Sequence, residues 1–238
     1  MRAVFVLTVR QLAGSRRIWL VLALVSLPLL AGLLFQVANA TATPDEFADD
    51  VTRVMLTSAI LPLVMLLLAT AAFGNEVGDR TLVYLVTKPI ARWRIVAPKL
   101  LASVAVGGIP VALGGALAVA VIERGDGGGA LATGAGLFAG AAAYAAIFTW
   151  AGLATRHALL IGLVYVFIWE AALAAYLDGI RFLSVRRYTL ALIHGLDDGR
   201  LTSVDISLSP LTAVVGTTVV LVLFTALAVR KLVRMDVP

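Results

Sequence analysis

The chain contains no cysteine and only two histidines, His157 and His194. The first absence excludes disulfides, thiolate metal sites and a cysteine nucleophile. The second leaves no histidine pair spaced for a metal, so no metal site is expected. Charge is scarce too: 14% of the 238 residues are Asp, Glu, Lys or Arg, against about 25% in an ordinary soluble domain. The G-x-x-x-x-G-K-[ST] phosphate loop, H-E-x-x-H and G-x-S-x-G are all missing, so the chain has no nucleotide or hydrolase signature of its own. No catalytic residue and no bound cofactor are expected.

What replaces charge is apolar surface. Hydrophobic residues make up 61% of the chain and the mean hydropathy is +1.00. The apolar residues fall into runs of about twenty, the length that crosses a hydrocarbon core about 30 Å thick. Six spanning helices are predicted at roughly 18–37, 54–73, 99–122, 131–153, 159–177 and 211–229. The expected fold is therefore an all-α integral membrane protein.

Basic residues concentrate on alternate loops. Arg2, Arg10, Arg16 and Arg17 precede the first span; Arg80, Lys88, Arg92, Arg94 and Lys99 follow the second; Arg156 and His157 follow the fourth; Arg230, Lys231 and Arg234 follow the last. The loop after the first span is acidic, with Asp45, Glu46, Asp49 and Asp50 against Arg53. Positive loops stay inside, which places both termini in the cytoplasm. The same asymmetry accounts for the net charge of +5, which on a soluble chain would suggest nucleic acid; no nucleic-acid partner is expected here. Ala38-Asn39-Ala40 has the form of a signal-peptidase site, but the apolar run before it is too long and its basic lead too extended, so no cleavage is expected.

Residues 1–17 form an amphipathic pattern, with Phe5, Val9 and Leu12 on one face and Arg2, Val6, Arg10 and Arg17 on another. That suits a helix lying in the headgroup layer of membrane lipid. Pro28, Pro62 and Pro110 fall inside spans, where each removes a backbone donor and tends to kink the helix. Gly136 and Gly140 form a G-x-x-x-G pair in the fourth span, read as close packing within the chain. Glu170 is the one acidic residue well inside a span. Two readings stand for it: a contact for substrate or protons, or a carboxyl that locks two helices together. Between 180 and 193, apolar residues are interrupted by Arg181, Arg186 and Arg187. A helix on the outer membrane surface satisfies both, and Phe182 and Tyr188 are its candidates for an outer gate above Glu170.

The richest polar segment lies between the second and third spans, from Gly74-Asn75-Glu76 to Lys88-Pro89-Ile90-Ala91-Arg92. Glu76 and Arg80 stand four apart and are spaced to pair along a helix. Leu82 and Leu85 project one turn apart, and Pro89 stops the helix. Arg92, Arg94 and Lys99 then anchor the start of the third span. Read from charge alone, this is a basic connecting loop.

The pattern Glu76, Asp79-Arg80-Thr81-Leu82, Leu85, Lys88-Pro89-Ile90, Arg92 and Lys99 resembles the corresponding loop of ABC-2-type permeases, the membrane subunits of ABC exporters. Trp169-Glu170 with Arg181-Phe182-Leu183-Ser184 and Arg187-Tyr188 is similar to the branch that includes copper-enzyme-maturation permeases. The resemblance covers essentially the whole chain as a single transmembrane domain, 1–238. It implies a coupling helix, with Glu76, Asp79, Arg80, Thr81, Leu82, Leu85, Pro89 and Arg92 as contacts for a separate ATPase subunit. It also implies two ATPase copies holding ATP and Mg, a second permease subunit as homodimer or related heterodimer, and a bacterial or archaeal plasma membrane. Where the family usually carries two or more acidic residues before Thr-Leu, this chain has Asp79-Arg80. Two rival readings remain open at this level: a membrane scaffold or maturation subunit without transport, and an ion-driven secondary transporter. The latter would call for more charge near the midplane and a repeat symmetry.

Overall fold

The computed structural model describes residues 2–38, 42–78, 91–125, 127–173, 184–197, 201 and 208–234, without the side chains of 75, 77, 78 and 170–173. Among the described residues there are helices and no strand. In order they are α1 (Arg2–Ala13), α2 (Arg17–Val37), α3 (Pro44–Asp50), a π-helical stretch Val51–Ile60, α4 (Leu61–Gly78), α5 (Trp93–Ser103), a π-helical stretch Val104–Gly108, α6 (Ile109–Ile122), α7 (Gly127–Ala154), α8 (Ala158–Val164), a π-helical stretch Tyr165–Leu173, α9 (Val185–Leu196) and α10 (Pro210–Val233).

Five continuous helices are long and apolar enough to cross a membrane: Arg17–Val37, Pro44–Gly74, Trp93–Ile122, Gly127–Ala154 and Pro210–Val233. The apolar helix Ala158–Trp169 is shorter; the remainder of the expected 159–177 span extends beyond the described residues. Two of the five begin well before their apolar cores. The 54–73 run is carried on a helix that starts at Pro44, because Thr43 caps it. The Thr43 hydroxyl accepts from the Glu46 amide at 3.4 Å, and the Glu46 carboxylate accepts from the Thr43 amide at 3.2 Å. This reciprocal pair is readable as Thr-x-x-Glu, and it turns the acidic loop into the start of a helix. At about 1.5 Å per residue, the 31-residue helix is longer than the hydrocarbon core is thick.

Two of the π-helical stretches end next to a proline. The Leu61 amide bonds back to the Leu56 carbonyl, just before Pro62, and the Ile109 amide to the Val104 carbonyl, just before Pro110. A proline ring clashes with the carbonyl four residues earlier and donates nothing to it. Widening the ladder to five-residue steps relieves that clash while keeping the neighbouring carbonyls bonded. The Arg53 carbonyl also accepts the hydroxyls of Thr57 at 2.9 Å and Ser58 at 2.7 Å.

α4 and α7 form the centre, and α2 and α10 the rim. Two thirds of the apolar window of each central span is buried, against 17% for α2 and for α10. The rim helices turn Leu30, Leu33 and Leu34 on α2, and Val214, Val215 and Val222 on α10, outward, as lipid-facing helices do. Helix contacts rest on glycines. A methyl at Gly152 would meet the Thr70 backbone carbonyl at 2.8 Å, so α4 and α7 are nearly in backbone contact there. α1 buries Leu12 and Thr8 and exposes Arg2, Val6 and Arg10, the two faces read from the sequence, and it packs against α5.

α9 departs from the expectation of a helix on the outer membrane surface. It buries Val185, Tyr188, Thr189, Leu190, Ala191 and Ile193. Side chains at Gly136 and Gly140 of α7 would collide with Ile193 and Thr189 respectively, and one at Gly216 of α10 with the Tyr188 ring. α9 therefore lies antiparallel to α7, and Thr189 reaches the middle of that helix. The glycine pair is used within the chain, as a groove that admits a third helix. The Arg186 guanidinium donates to the Arg53 carbonyl at 3.3 Å, and Asp49 on α3 accepts from the Leu201 amide at 2.9 Å. These bonds tie the segment after α8 to the N-terminal end of the second span.

Candidate functional site

α4 ends at Gly78 and α5 begins at Trp93. The chain between them is the polar segment with the coupling pattern, and its two roots meet at one lysine. The Lys99 ammonium lies 2.6 Å from Glu76 Oε1. It also donates to the Ala72 carbonyl and stands 4.6 Å from the centroid of the Phe73 ring. All three partners lie on the last turns of α4, so one ammonium is held by a carboxylate, a carbonyl dipole and an aromatic face. The Lys99 side chain is 2% exposed and that of Glu76 15%. A buried ammonium is tolerated only when its hydrogens are satisfied in this way.

Around the pair, Phe73, Ile95, Val96, Leu153, Ala228 and Leu232 form an apolar cluster, with Trp150 packed beside it. The cluster joins α4, α5, α7 and α10 at the same end of the bundle. Glu76 Oε2 is buried and accepts no hydrogen bond from the described residues. The site thus holds a saturated cation and a carboxylate with one oxygen to spare, at the root of the loop.

This corrects one expectation: Lys99 does not anchor the start of the third span from its surface; it is enclosed between helices. Glu76 pairs across to Lys99, and the expected Glu76–Arg80 pair falls on a position outside the described residues. A signal was present in the sequence: a lysine in the run Ile95-Val96-Ala97-Pro98-Lys99-Leu100-Leu101 requires a partner wherever the helix is buried.

Of the other candidate residues, Asp79, Thr81, Leu82, Leu85, Pro89 and Phe182 lie outside the described residues as well. Arg92 is half-buried at the start of α5, where its carbonyl accepts the amides of Ile95 and Val96 at 3.0 and 3.1 Å. Glu170 belongs to the π-helical stretch Tyr165–Leu173, and its side chain lies outside the description. Tyr188 is buried and stacked over Gly216. It borders a cavity of about 520 Å³ together with Tyr165, Trp169, Val185, Val219 and Phe224. Tyr188 and the helix carrying Glu170 thus share one apolar chamber. Among the described residues, no three His, Asp or Glu side chains come together as metal ligands would.

The family of ABC-2 family transporter proteins matches residues 14–169, about two thirds of the chain. The match runs from the start of α2 through the Glu76–Lys99 pair to Trp169. Among curated proteins no match was found.

Proposed function

Since the chain belongs to the ABC-2 transporter family, we propose that it exports its substrate using ATP hydrolysed by a separate ATPase subunit that docks on residues 76–92. The chain is a permease subunit of an ABC transporter. In the proposed complex two ATPase copies hold ATP and Mg, and a second permease subunit completes the path. Both termini and the 76–92 segment face the cytoplasm of the plasma membrane.

The observation that carries this reading is the Lys99 clamp. A docking loop transmits force only if its roots are stiff. Here the ammonium is bound by three groups of α4 while its own backbone belongs to α5. A displacement of the loop therefore moves the ends of α4 and α5 together. The apolar cluster carries the movement on to α7 and α10. α4 and α5 continue through the bundle past the π-helical stretches at Val51–Ile60 and Val104–Gly108, where the hydrogen-bond ladders are already widened and yield most readily. Leu82 and Leu85 supply the apolar contact with the ATPase, and Asp79, Arg80 and Arg92 its charged flank. The chain contributes the path and the lever; the partner contributes the hydrolysis.

The test is co-purification with the cognate ATPase after Leu82→Asp combined with Leu85→Asp. Burying two carboxylates in an apolar contact is expected to remove most of the complex and most of the permease-dependent ATP turnover. Undiminished complex and turnover would refute docking at this segment.

A further inference from the structure

Two cavities lie end to end along α2, α4 and α8. The first, about 140 Å³, is polar, and Arg17, Arg156, Thr70, Thr155 and Gly74 contribute to its wall. Among the described residues no acidic side chain lines it. Neither guanidinium makes an ion pair or a side-chain hydrogen bond among the described residues. The second, about 240 Å³, is lined by leucines alone, among them Leu20, Leu24, Leu66, Leu67 and Leu163, and Leu159 belongs to both. The register is consistent on all three helices. Leu20 follows Arg17 by one turn on α2, Leu66 precedes Thr70 by one turn on α4, and Leu163 follows Leu159 by one turn on α8. One end of the combined groove is cationic and polar, and the other is an apolar trough.

The cationic end is fixed by local structure. Gly14 closes the turn between α1 and α2 with its amide on the Arg10 carbonyl at 2.8 Å, and the Ser15 hydroxyl bonds to the Leu12 carbonyl at 2.8 Å. α2 then starts at Arg17 with no side-chain cap and no acidic residue in its first turn, so its free amides add positive potential beside the guanidinium. Arg156 sits on a turn held by the Thr155 hydroxyl, which accepts the His157 amide at 3.1 Å. Gly74 leaves space: a side chain there would meet nothing within 4 Å of its Cβ.

We propose that this groove is a binding site for one anionic phospholipid, its phosphate between Arg17 and Arg156 and an acyl chain along the leucine trough. Two forked guanidinium groups match phosphate oxygens in geometry as well as charge. The polar cavity has room for the phosphate and a water or two, since each water occupies about 30 Å³. The trough runs toward the membrane interior, where an acyl chain lies. The lipid joins the amphipathic lead and the turn between α7 and α8 to the end of α4, beside the root of the coupling segment. The site depends neither on export nor on the ATPase; only its assignment to the inner leaflet rests on the inward termini.

The experiment uses the full chain in detergent micelles, titrated with phosphatidylglycerol, phosphatidylcholine or inorganic phosphate, with bound lipid counted by native mass spectrometry and the thermal midpoint followed in parallel. One phosphatidylglycerol is expected to persist where phosphatidylcholine is stripped. Arg17→Gln combined with Arg156→Gln is expected to weaken it about thirtyfold, from about fivefold for each arginine near an anionic surface. Gly74→Leu, which fills the cavity without touching charge and is a better helix former than glycine, is expected to weaken it similarly while the fold stays intact. Arg2→Gln combined with Arg10→Gln, on the exposed face of α1, is expected to leave it unchanged. Equal retention of phosphatidylglycerol by the Arg17/Arg156 variant would overturn the proposal. So would an equal loss in the Arg2/Arg10 variant, which would mean general surface attraction. Arginine-dependent stabilisation by inorganic phosphate without lipid retention would overturn the lipid and assign the site to a free phosphate.

Discussion

Replacing Glu76 with methionine leaves the Lys99 ammonium enclosed with only the Ala72 carbonyl and the Phe73 ring. Breaking a buried pair from one side costs about 3–5 kcal/mol, because the remaining charge is stranded. Lys99 is 2% exposed, so the loss is expected within that range. Lys99→Met is milder. It strands Glu76, which is 15% exposed and recovers part of its hydration; the Ala72 carbonyl keeps its place in the α4 ladder. A cost of about 2 kcal/mol is expected, in line with losing a charged hydrogen bond. The double variant Glu76→Met with Lys99→Met removes both charges and keeps similar volume, and such replacements are often neutral. It is expected within about 1 kcal/mol of the natural chain. The two singles therefore sum to far more than the double, a coupling of about 5–7 kcal/mol. Unfolding in mixed micelles by sodium dodecyl sulfate, followed by tryptophan fluorescence, reads all four stabilities, with Trp150 reporting from beside the cluster. Single variants that lose less than about 0.5 kcal/mol each and add linearly would show that the pair does not clamp the helices, since independent sites behave that way. If the double variant folds as expected but no longer couples ATP turnover to the permease, the charges have a role in transmission beyond stability.

Two further outcomes are expected. Gly136→Leu has no room against Ile193 and should displace α9 and lower stability by about 1–3 kcal/mol, the usual cost of overpacking; combining it with Ile193→Ala should recover part of the loss, and an unchanged thermal midpoint for the single variant would refute the seam. Single cysteines at Thr43, Asp126 and Ser203 should react with a membrane-impermeant thiol reagent applied to intact cells, and those at Arg80 and His157 should not; no native cysteine interferes, and outside labelling at Arg80 would overturn the proposed orientation.

Much of the candidate site was half legible. Glu76 and Lys99 were both visible as charges flanking a polar segment, and the resemblance of that segment named their neighbourhood. Their pairing was not visible, because the partners are 23 positions apart, and hydropathy and helical spacing report only on neighbours within a few turns. Helical spacing offers Arg80 to Glu76, four residues away, a position outside the described residues. α9 was read as helical and amphipathic for the right reason, the interleaving of apolar residues with Arg186 and Arg187. Its depth is not legible there, because the surface it meets is made by Gly136, Gly140 and Gly216, and the absence of side chains leaves no mark on the pattern of α9 itself. The early start of the second span was legible in Thr43-Pro44-Asp45-Glu46, a capping signature overshadowed by its acidity.

The sequence by itself determined that the chain is an all-α membrane protein. Runs of about twenty apolar residues have no other stable environment, since each backbone amide in hydrocarbon must be satisfied within its own helix. It also determined the amphipathic face of α1 and, at Pro62 and Pro110 though not at Pro28 inside the continuous α2, where the helical ladder widens. Only the tertiary structure decided which helices form the centre, how deeply α9 inserts, and which groups surround Lys99. It alone brought Arg17, Gly74 and Arg156 around one cavity. Those choices depend on how glycines and leucines from distant segments fit together, and close packing is a property of the assembled surfaces rather than of any one of them.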